Sequence, residues 1–103
     1  MATWHEVATA DQIVEGQAFA TEVDGNEIAV VRLGEELFAI GNICPHQRDT
    51  LLSDGYLDGE LIECPLHQSC FDVRTGKLLN PPAREDVPSY PVKTENNSVF
   101  IEL

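Results

Sequence analysis

The sequence predicts an all-β fold built from short antiparallel strands, with a binding site in the middle of the chain. Turn-forming residues recur about every 8 to 12 residues, a spacing typical of short strands joined by tight turns. Between those turns, several segments alternate apolar and polar side chains, as a strand with one buried face does. Residues 43–83 instead scatter their apolar side chains among cysteine, histidine, proline and glycine. We therefore expect a loop-built site carried on a β scaffold.

Three strands are predicted in the first half of the chain, at residues 19–23, 27–33 and 36–42. The turn residues 24–26, with the sequence Asp-Gly-Asn, separate the first two strands, and Gly34 precedes the third. Asp-Gly and Asn-Gly pairs favour the tight turns of β-hairpins because they tolerate positive φ. A meander of three consecutive strands is the simplest arrangement.

The other predicted elements lie near the two ends of the chain. Strands at residues 90–94 and 98–103 flank Asn96 and Asn97, so we expect them to form a closing hairpin. One segment, "TADQIVEG" at residues 9–16, has the features of a helix of about two turns, because it starts with a capping threonine and stops at a glycine.

Size and composition indicate one domain, residues 1–103, in the cytoplasm. The chain has 103 residues, and its apolar runs are far shorter than the roughly 18 residues of a membrane span. The first residues lack the basic flank and apolar stretch of a secretory signal. Thiols stay reduced in the cytoplasm, so three cysteines, an odd number, favour metal ligands or buried side chains over a disulfide framework.

The charge balance excludes some partners. The chain has 18 acidic and 6 basic residues and a formal net charge of −12, which makes nucleic acid and anionic membranes poor partners. The acidic surface either keeps the protein soluble or steers it toward basic patches on another protein.

Cysteine and histidine are paired in two places. "ICPHQRD" contains Cys44 and His46, and "ECPLHQS" contains Cys64 and His67. Zinc, iron and copper all bind thiolate and imidazole, so the residue types alone do not name the metal. In an ordinary zinc finger one knuckle supplies two cysteines and the other two histidines, whereas here each segment supplies one of each. A binuclear iron–sulfur centre with two cysteines on one iron and two histidines on the other requires this mixture.

With its two Cys/His pairs, the chain resembles the Rieske-type ferredoxins, which are electron carriers of bacterial ring-hydroxylating dioxygenases. The resemblance covers essentially the whole chain and includes the small size and the three-strand start. Its further motifs are "SDGYLDG" at 53–59, "FDVRTGK" at 71–77 and "NPPA" at 80–83. It implies a small antiparallel β-sandwich with a cluster-binding subdomain at about 43–83.

The resemblance also implies the cofactor and the partners. One 2Fe-2S cluster is expected, with Cys44 and Cys64 on the inner iron and His46 and His67 on the outer iron. The electron donor would be a flavin-dependent NAD(P)H reductase, and the acceptor a terminal ring-hydroxylating oxygenase. Catalytic motifs such as a Ser-His-Asp set or a phosphate loop were not found in the sequence. We therefore expect a monomeric carrier that is not an enzyme.

Several positions differ from the high-potential Rieske proteins of respiratory complexes. Asp49 and Leu66 stand where those proteins have a second cysteine in each cluster loop, and Phe71 replaces a tyrosine that donates to a ligand sulfur. Fewer hydrogen bonds to sulfur favour a potential in the lower part of the roughly −150 to +300 mV Rieske range. Ser69 opposes this, since its hydroxyl could reach a bridging sulfide. Residues 47–48, Gln-Arg, replace a common glycine and affect loop shape and partner choice.

Three alternatives stay open from the sequence. The chain could be a Rieske small subunit bound to a larger reductase, such as a nitrite reductase. It could also be an interaction module in which zinc occupies the same four ligands, or the four residues could be two buried cysteines and two incidental histidines. Cys70 is interpreted as a small buried side chain and not as a ligand.

Overall fold

The computed structural model describes residues 3–45, 48–66, 69–80 and 83–103. In these ranges eleven strands occur together with two short 3₁₀ helices, Ala10–Gln12 and Leu52–Asp54, and no α-helix. The strands are β1 (Trp4–Thr9), β2 (Phe19–Val23), β3 (Asn26–Leu33), β4 (Glu36–Gly41), β5 (Tyr56–Asp58), β6 (Leu61–Glu63), β7 (Cys70–Asp72), β8 (Leu78–Asn80), β9 (Ser89–Tyr90), β10 (Val92–Glu95) and β11 (Ser98–Glu102).

The strands form three antiparallel sheets. The terminal sheet has the order β1-β11-β10, the central sheet β2-β3-β4-β9, and the cluster sheet β5-β6-β7-β8. Neighbours in the central sheet follow each other in sequence from β2 to β4, as expected for a meander. Strand β9 then returns from the other end of the chain to pair with β4.

Side chains on the two faces of the central sheet enter two separate hydrophobic cores. Along β3, Ala29 and Val31 lie in one core, and Ile28 and Val30 lie in the other. Successive side chains of a strand point to opposite faces, so the cores lie on opposite sides of the sheet. The cysteine core contains Ala29, Val31, Ile40, Cys44, Leu52, Ile62, Cys64, Phe71, Val73, Ala83 and Val87. The terminal core contains Ala8, Ile13, Val23, Ile28, Val30, Ala39, Val99 and Ile101.

The layered arrangement confirms the predicted all-β antiparallel sandwich. Both predicted hairpin turns occur where the turn residues stand. Asp24 has φ of 50° and Gly25 of 83°, and Asn96 and Asn97 have φ of 50° and 69°. Two successive residues with positive φ match the twist of the flanking strands.

The predicted helix at residues 9–16 is wrong in extent and in type. Only Ala10–Gln12 is helical, and it is a 3₁₀ turn. The guanidinium of Arg32 on β3 donates to the carbonyl oxygens of Ala10 and Ile13, both at 2.7 Å. These long-range bonds hold the segment against the central sheet and engage carbonyls that a longer helix would use within itself.

Strand β1 and the arrangement of the cluster sheet were not predicted. Strand β1 contains a bulge between Glu6 and Ala8, which interrupts the alternation of apolar and polar side chains that indicates a strand. The cluster sheet consists of strands of three residues each, too short to show a period. The middle of the chain therefore contains a small sheet; Cys64 lies between its strands β6 and β7, and Cys44 lies between β4 of the central sheet and the 3₁₀ helix at Leu52–Asp54.

Candidate metal centre

Cys44 lies in the first cysteine segment, residues 43–51, which follows β4. Its backbone N–H donates to the carbonyl oxygen of Thr50 at 3.0 Å, and Ile43 pairs with Leu51 in an isolated antiparallel bridge. The two ends of the segment are therefore paired with each other next to the cysteine. The Cys44 side chain is fully buried.

Cys64 lies in the second cysteine segment, residues 64–69, which joins β6 to β7. Its backbone N–H donates to the carbonyl oxygen of Ser69 at 2.8 Å, beyond the pair formed by Glu63 and Cys70. The hairpin thus continues into the segment and fixes the backbone at the cysteine. Like Cys44, Cys64 is fully buried.

The two predicted cysteine ligands belong to the same hydrophobic core. Cys44 and Cys64 pack with Leu52, Ile62 and Phe71, all of which are almost completely removed from water. No disulfide joins any of the three cysteines, each of which lies in a described range. The two thiols come from positions 20 residues apart and lie in one buried apolar core. This arrangement fits the inner side of an iron–sulfur centre, whose iron takes thiolate ligands.

The two predicted histidine ligands, His46 and His67, lie outside the described residues. Within the described ranges, no group of three or more His, Cys, Asp and Glu side chains is arranged to hold a metal ion. The structure therefore places the two predicted cysteine ligands in one buried core. The assignment of all four ligands stays a prediction.

Ser69 connects the second cysteine segment to the segment that follows the prolines. Its hydroxyl oxygen accepts a buried hydrogen bond of 2.9 Å from the backbone N–H of Ala83. Ser69 is fully buried, and Ala83 lies in the cysteine core. Pro81 and Pro82 themselves lie outside the described residues. Whether the hydroxyl also donates to a sulfide stays a prediction.

The turn that follows β7 is fixed by hydrogen bonds and contacts the chain at Val87. The guanidinium of Arg74 donates to both carboxylate oxygens of Asp72, at 3.2 and 3.0 Å. These hydrogen bonds hold the pKa of Asp72 below its ordinary value. Gly76 has φ of 79°, and a Cβ there would overlap the carbonyl oxygen of Val87, so the turn requires glycine. The backbone N–H of Val87 donates to Gly76 at 2.9 Å, which anchors the chain beyond the prolines.

Cys70 lies apart from the other two cysteines. It is 8% exposed on β7, adjacent to Phe71, and is not part of the cysteine core. Neighbouring side chains of a strand face opposite ways, so Cys70 points to the outer face of the cluster sheet. Burial raises the pKa of its thiol, and the nearby Glu63 carboxylate raises it further. These features agree with the interpretation of Cys70 as a small buried side chain.

Sequence analysis missed a pair of polar residues beside the first cysteine segment. Asn42 is fully buried, and its amide donates from Nδ2 to the Ser53 hydroxyl at 2.8 Å. The Ser53 backbone N–H donates in return to Asn42 Oδ1 at 2.8 Å. Ser53 begins the motif at residues 53–59, but Asn42 lies 11 residues earlier and belongs to no motif, so only the three-dimensional structure reveals the pair.

Arg48, at the far side of the first cysteine segment, lies near the chain that follows the prolines. Its guanidinium is 3.9 Å from the carboxylate of Glu85, and both side chains are largely exposed. Such an exposed ion pair contributes little to the stability of the fold. Arg48 is thus on the surface, beside the candidate metal centre.

The site and the fold together define the class of protein. A model of the Rieske [2Fe-2S] domain matches residues 3–91, and the chain belongs to that family. Within the family it is a Rieske-type ferredoxin, an electron carrier and not an enzyme, whose cofactor is one Rieske-type 2Fe-2S cluster.

Three known proteins show which members of the family this chain is similar to. The ferredoxin component of the naphthalene 1,2-dioxygenase system of Pseudomonas putida is 44% identical over 100 residues, covering 97% of this chain and 95% of the relative. The ferredoxin of carbazole 1,9a-dioxygenase from Nocardioides aromaticivorans IC177 is 40% identical with a TM-score of 0.90, covering 96% of each chain. A solved complex of reduced oxygenase and oxidized ferredoxin in carbazole 1,9a-dioxygenase matches at 30% identity and a TM-score of 0.87, covering 95% of this chain and 91% of that chain.

Proposed function

We propose that this protein carries electrons one at a time from a flavin-dependent NAD(P)H reductase to a terminal ring-hydroxylating dioxygenase. The observation that carries the proposal is the burial of Cys44 and Cys64 in one core of a Rieske-type fold. When bound, a 2Fe-2S cluster supplies a one-electron redox centre. The named relatives are ferredoxin components of dioxygenase systems, which supports the same role for this chain.

The proposed ligands are Cys44 and Cys64 for the inner iron and His46 and His67 for the outer iron. Full burial of both cysteine side chains supports the inner position, since thiolates in an apolar core are shielded from water and from oxidants. The single Rieske domain is proposed to span residues 1–103, with its cluster-binding segment at about 43–83.

The surroundings of the thiols set the electrostatics of the site. Phe71 is fully buried in the cysteine core and has no side-chain donor that could bond to sulfur. The Ser69 hydroxyl oxygen accepts from the Ala83 N–H, which leaves its O–H as the one side-chain donor that these two residues could offer to sulfur. A site with few donors favours the oxidised state, so we expect a reduction potential in the lower part of the roughly −150 to +300 mV Rieske range.

Charge is distributed unevenly in the proposed carrier. The two cysteine segments contain one cation, Arg48, and one anion, Asp49, so they add nothing to the net charge of −12. The acidic residues outside these segments would steer the carrier toward basic patches on its partners.

The described ranges contain no helix that is both long enough and apolar enough to cross a membrane. We infer a cytoplasmic monomer, for which gel filtration at the elution volume of an 11.4 kDa protein is the expected result.

Stopped-flow kinetics tests the proposed role. The purified protein, mixed with NAD(P)H and a flavin-dependent reductase of a dioxygenase system, should be reduced and should then be reoxidised by the terminal oxygenase with substrate. Raising the ionic strength should slow both steps, because salt screens attraction between exposed charges. A rate independent of salt would contradict electrostatic steering, and failure to accept electrons from any such reductase would contradict the role itself.

A further inference from the structure

A short part of the chain between the two cysteine segments contacts both of them. This spacer segment, residues 52–55, comprises the 3₁₀ helix Leu52–Asp54 and the following Gly55. We propose that the spacer segment fixes the distance between the Cys44 and Cys64 backbones, and that Asn42 and Ser53 are the positioning residues that lock it in place. The inference rests on the proposed assignment of these two cysteines as ligands.

Directional hydrogen bonds join the spacer segment to the start of the first cysteine segment. The Asn42 side chain exchanges two bonds with Ser53, both at 2.8 Å. The Asn42 carbonyl oxygen accepts a third bond from the Leu52 N–H at 2.8 Å. The Asn42 N–H itself donates to the carbonyl of Glu27 on β3 at 2.9 Å, so the spacer segment is tied to the central sheet. Asn42 therefore holds both ends of the first cysteine segment.

Close backbone packing joins the spacer segment to the second cysteine segment. A Cβ added at Gly55 would overlap the carbonyl oxygen of Glu63, and it would lie 3.1 Å from Cδ of Pro65. These two residues flank Cys64 in sequence. Only glycine allows the spacer segment to come this near, because a larger side chain would push the second cysteine segment away.

Burial makes the connection rigid. Leu52 and Asn42 are both fully buried, and Leu52 packs in the cysteine core with the two thiols. Breaking the Asn42 bonds would leave a buried amide without partners, which is costly in an apolar core. The spacer segment therefore holds the two cysteine backbones at one separation, independently of the ligands themselves.

Release of iron from the holoprotein tests the inference. Iron transfer to a ferrous chelator under reducing, anaerobic conditions is followed by absorbance for the wild type and for Ser53→Ala, which leaves Nδ2 of Asn42 without its partner. We expect release to be about tenfold faster in Ser53→Ala, the factor that loss of one buried hydrogen bond predicts. Ser53→Thr keeps the hydroxyl and should restore slow release. Electron paramagnetic resonance of the reduced Ser53→Ala protein should show broader lines than the wild type, because a less fixed ligand separation spreads the g values.

Val99→Ala is the matched control, because it removes buried volume from the terminal core on the other face of the central sheet. It should lower the melting temperature while leaving iron release and line width near wild type. If Ser53→Ala releases iron no faster than the wild type, or no faster than Val99→Ala, the inference is overturned while the proposed function stands. If the wild-type protein contains no iron and sulfide, the proposed function and the inference both fail.

Gly55→Ala tests the other contact of the spacer segment. Its methyl group would overlap the Glu63 carbonyl, so we expect incomplete cluster assembly, measured as iron per folded chain. Gly25→Ala is the control, since a Cβ at Gly25 meets nothing within 4 Å, and the positive φ of 83° there makes the alanine strained without any overlap. Full iron content in Gly55→Ala would show that the second cysteine segment does not depend on this contact.

Discussion

The two cores on either face of the central sheet are both buried and differ in chemistry. The terminal core is wholly aliphatic, and its residues come mainly from strands. The cysteine core has a comparable number of members but includes two thiols, and the fully buried polar residues Asn42 and Ser69 hydrogen bond at its edge. The comparison suggests that one face of the sheet stabilises the fold, while the other face holds a cofactor.

The cores also differ in how their residues are held. Strand pairing fixes the terminal core, where Val99 and Ile101 alternate along β11 with side chains on the other face. Cys44 and Cys64 lie outside the strands, so their positions depend on individual contacts such as Asn42 with Ser53. A segment without a regular hydrogen-bond ladder needs such contacts to keep one conformation.

The largest expected effect comes from the thiols themselves. Cys44→Ser or Cys64→Ser should abolish the visible absorbance and reduce iron from two per chain to almost none, because the inner iron would lose a thiolate ligand. Cys70→Ser is the control with equal chemistry on the outer face of the cluster sheet, and it should retain the cluster. Loss of iron from Cys70→Ser alone would mean that the ligands are misassigned.

Truncation in the terminal core should affect stability and leave the cluster unchanged. Ile101→Ala removes a fully buried side chain, which typically costs about 2–5 kcal/mol of unfolding free energy. The measurement is thermal unfolding combined with electron paramagnetic resonance of the reduced protein. An altered resonance in a variant that is still folded would contradict the separation of the two cores.

Ser69→Ala should have a smaller effect that is confined to the cysteine core. The Ala83 N–H would lose its acceptor and remain buried, a change that costs about 1–3 kcal/mol. Hydrogen exchange at Ala83 should accelerate, and cluster lifetime in air should shorten as the chain beyond the prolines loosens. Ser89→Ala, at an exposed position, is the control and should match the wild type. Unchanged exchange at Ala83 would show that the bond contributes nothing.

The smallest expected effect is a pH dependence at the turn after β7. The pKa of Asp72 is lowered in the folded state by its hydrogen bonds with Arg74, so the pair stabilises the fold above the ordinary carboxyl pKa of about 4. The contribution is lost as the pH falls through the lowered folded-state value. Arg74→Gln should therefore be less stable than the wild type near neutral pH, and the difference should shrink in acid. A difference that does not change with pH would exclude the pair as its source.

How far the sequence predicts this fold depends on how local each feature is. The hairpins at residues 24–26 and 96–97 were predicted because their turn residues tolerate positive φ, and the structure confirms both. The helix predicted at residues 9–16 was wrong because the Arg32 side chain, on β3, donates hydrogen bonds to two carbonyl oxygens of that segment. Long-range contacts of this kind leave no periodic pattern in the sequence.

The candidate site follows the same rule. Cys44 and Cys64 were predicted from spacing and resemblance, and the structure buries them in one core. The contacts that position them, from Asn42 to Ser53 and from Gly55 to Glu63, join separate segments; Ser53 and Gly55 lie in the motif at 53–59, but the motif does not show which residues they contact. Sequence alone therefore predicts the candidate ligands, whose role stays a prediction, and misses the contacts around them.

Low-temperature electron paramagnetic resonance of the purified, dithionite-reduced protein, with iron and sulfide assayed on the same sample, tests the central claim most directly. Two irons per chain and an anisotropic signal whose average g lies below that of a four-cysteine cluster are the predicted result, because two neutral imidazoles replace two thiolates on one iron. A protein that contains zinc, has no iron and gives no signal would contradict the claim. The cysteine core would then be a metal-stapled element without electron transfer.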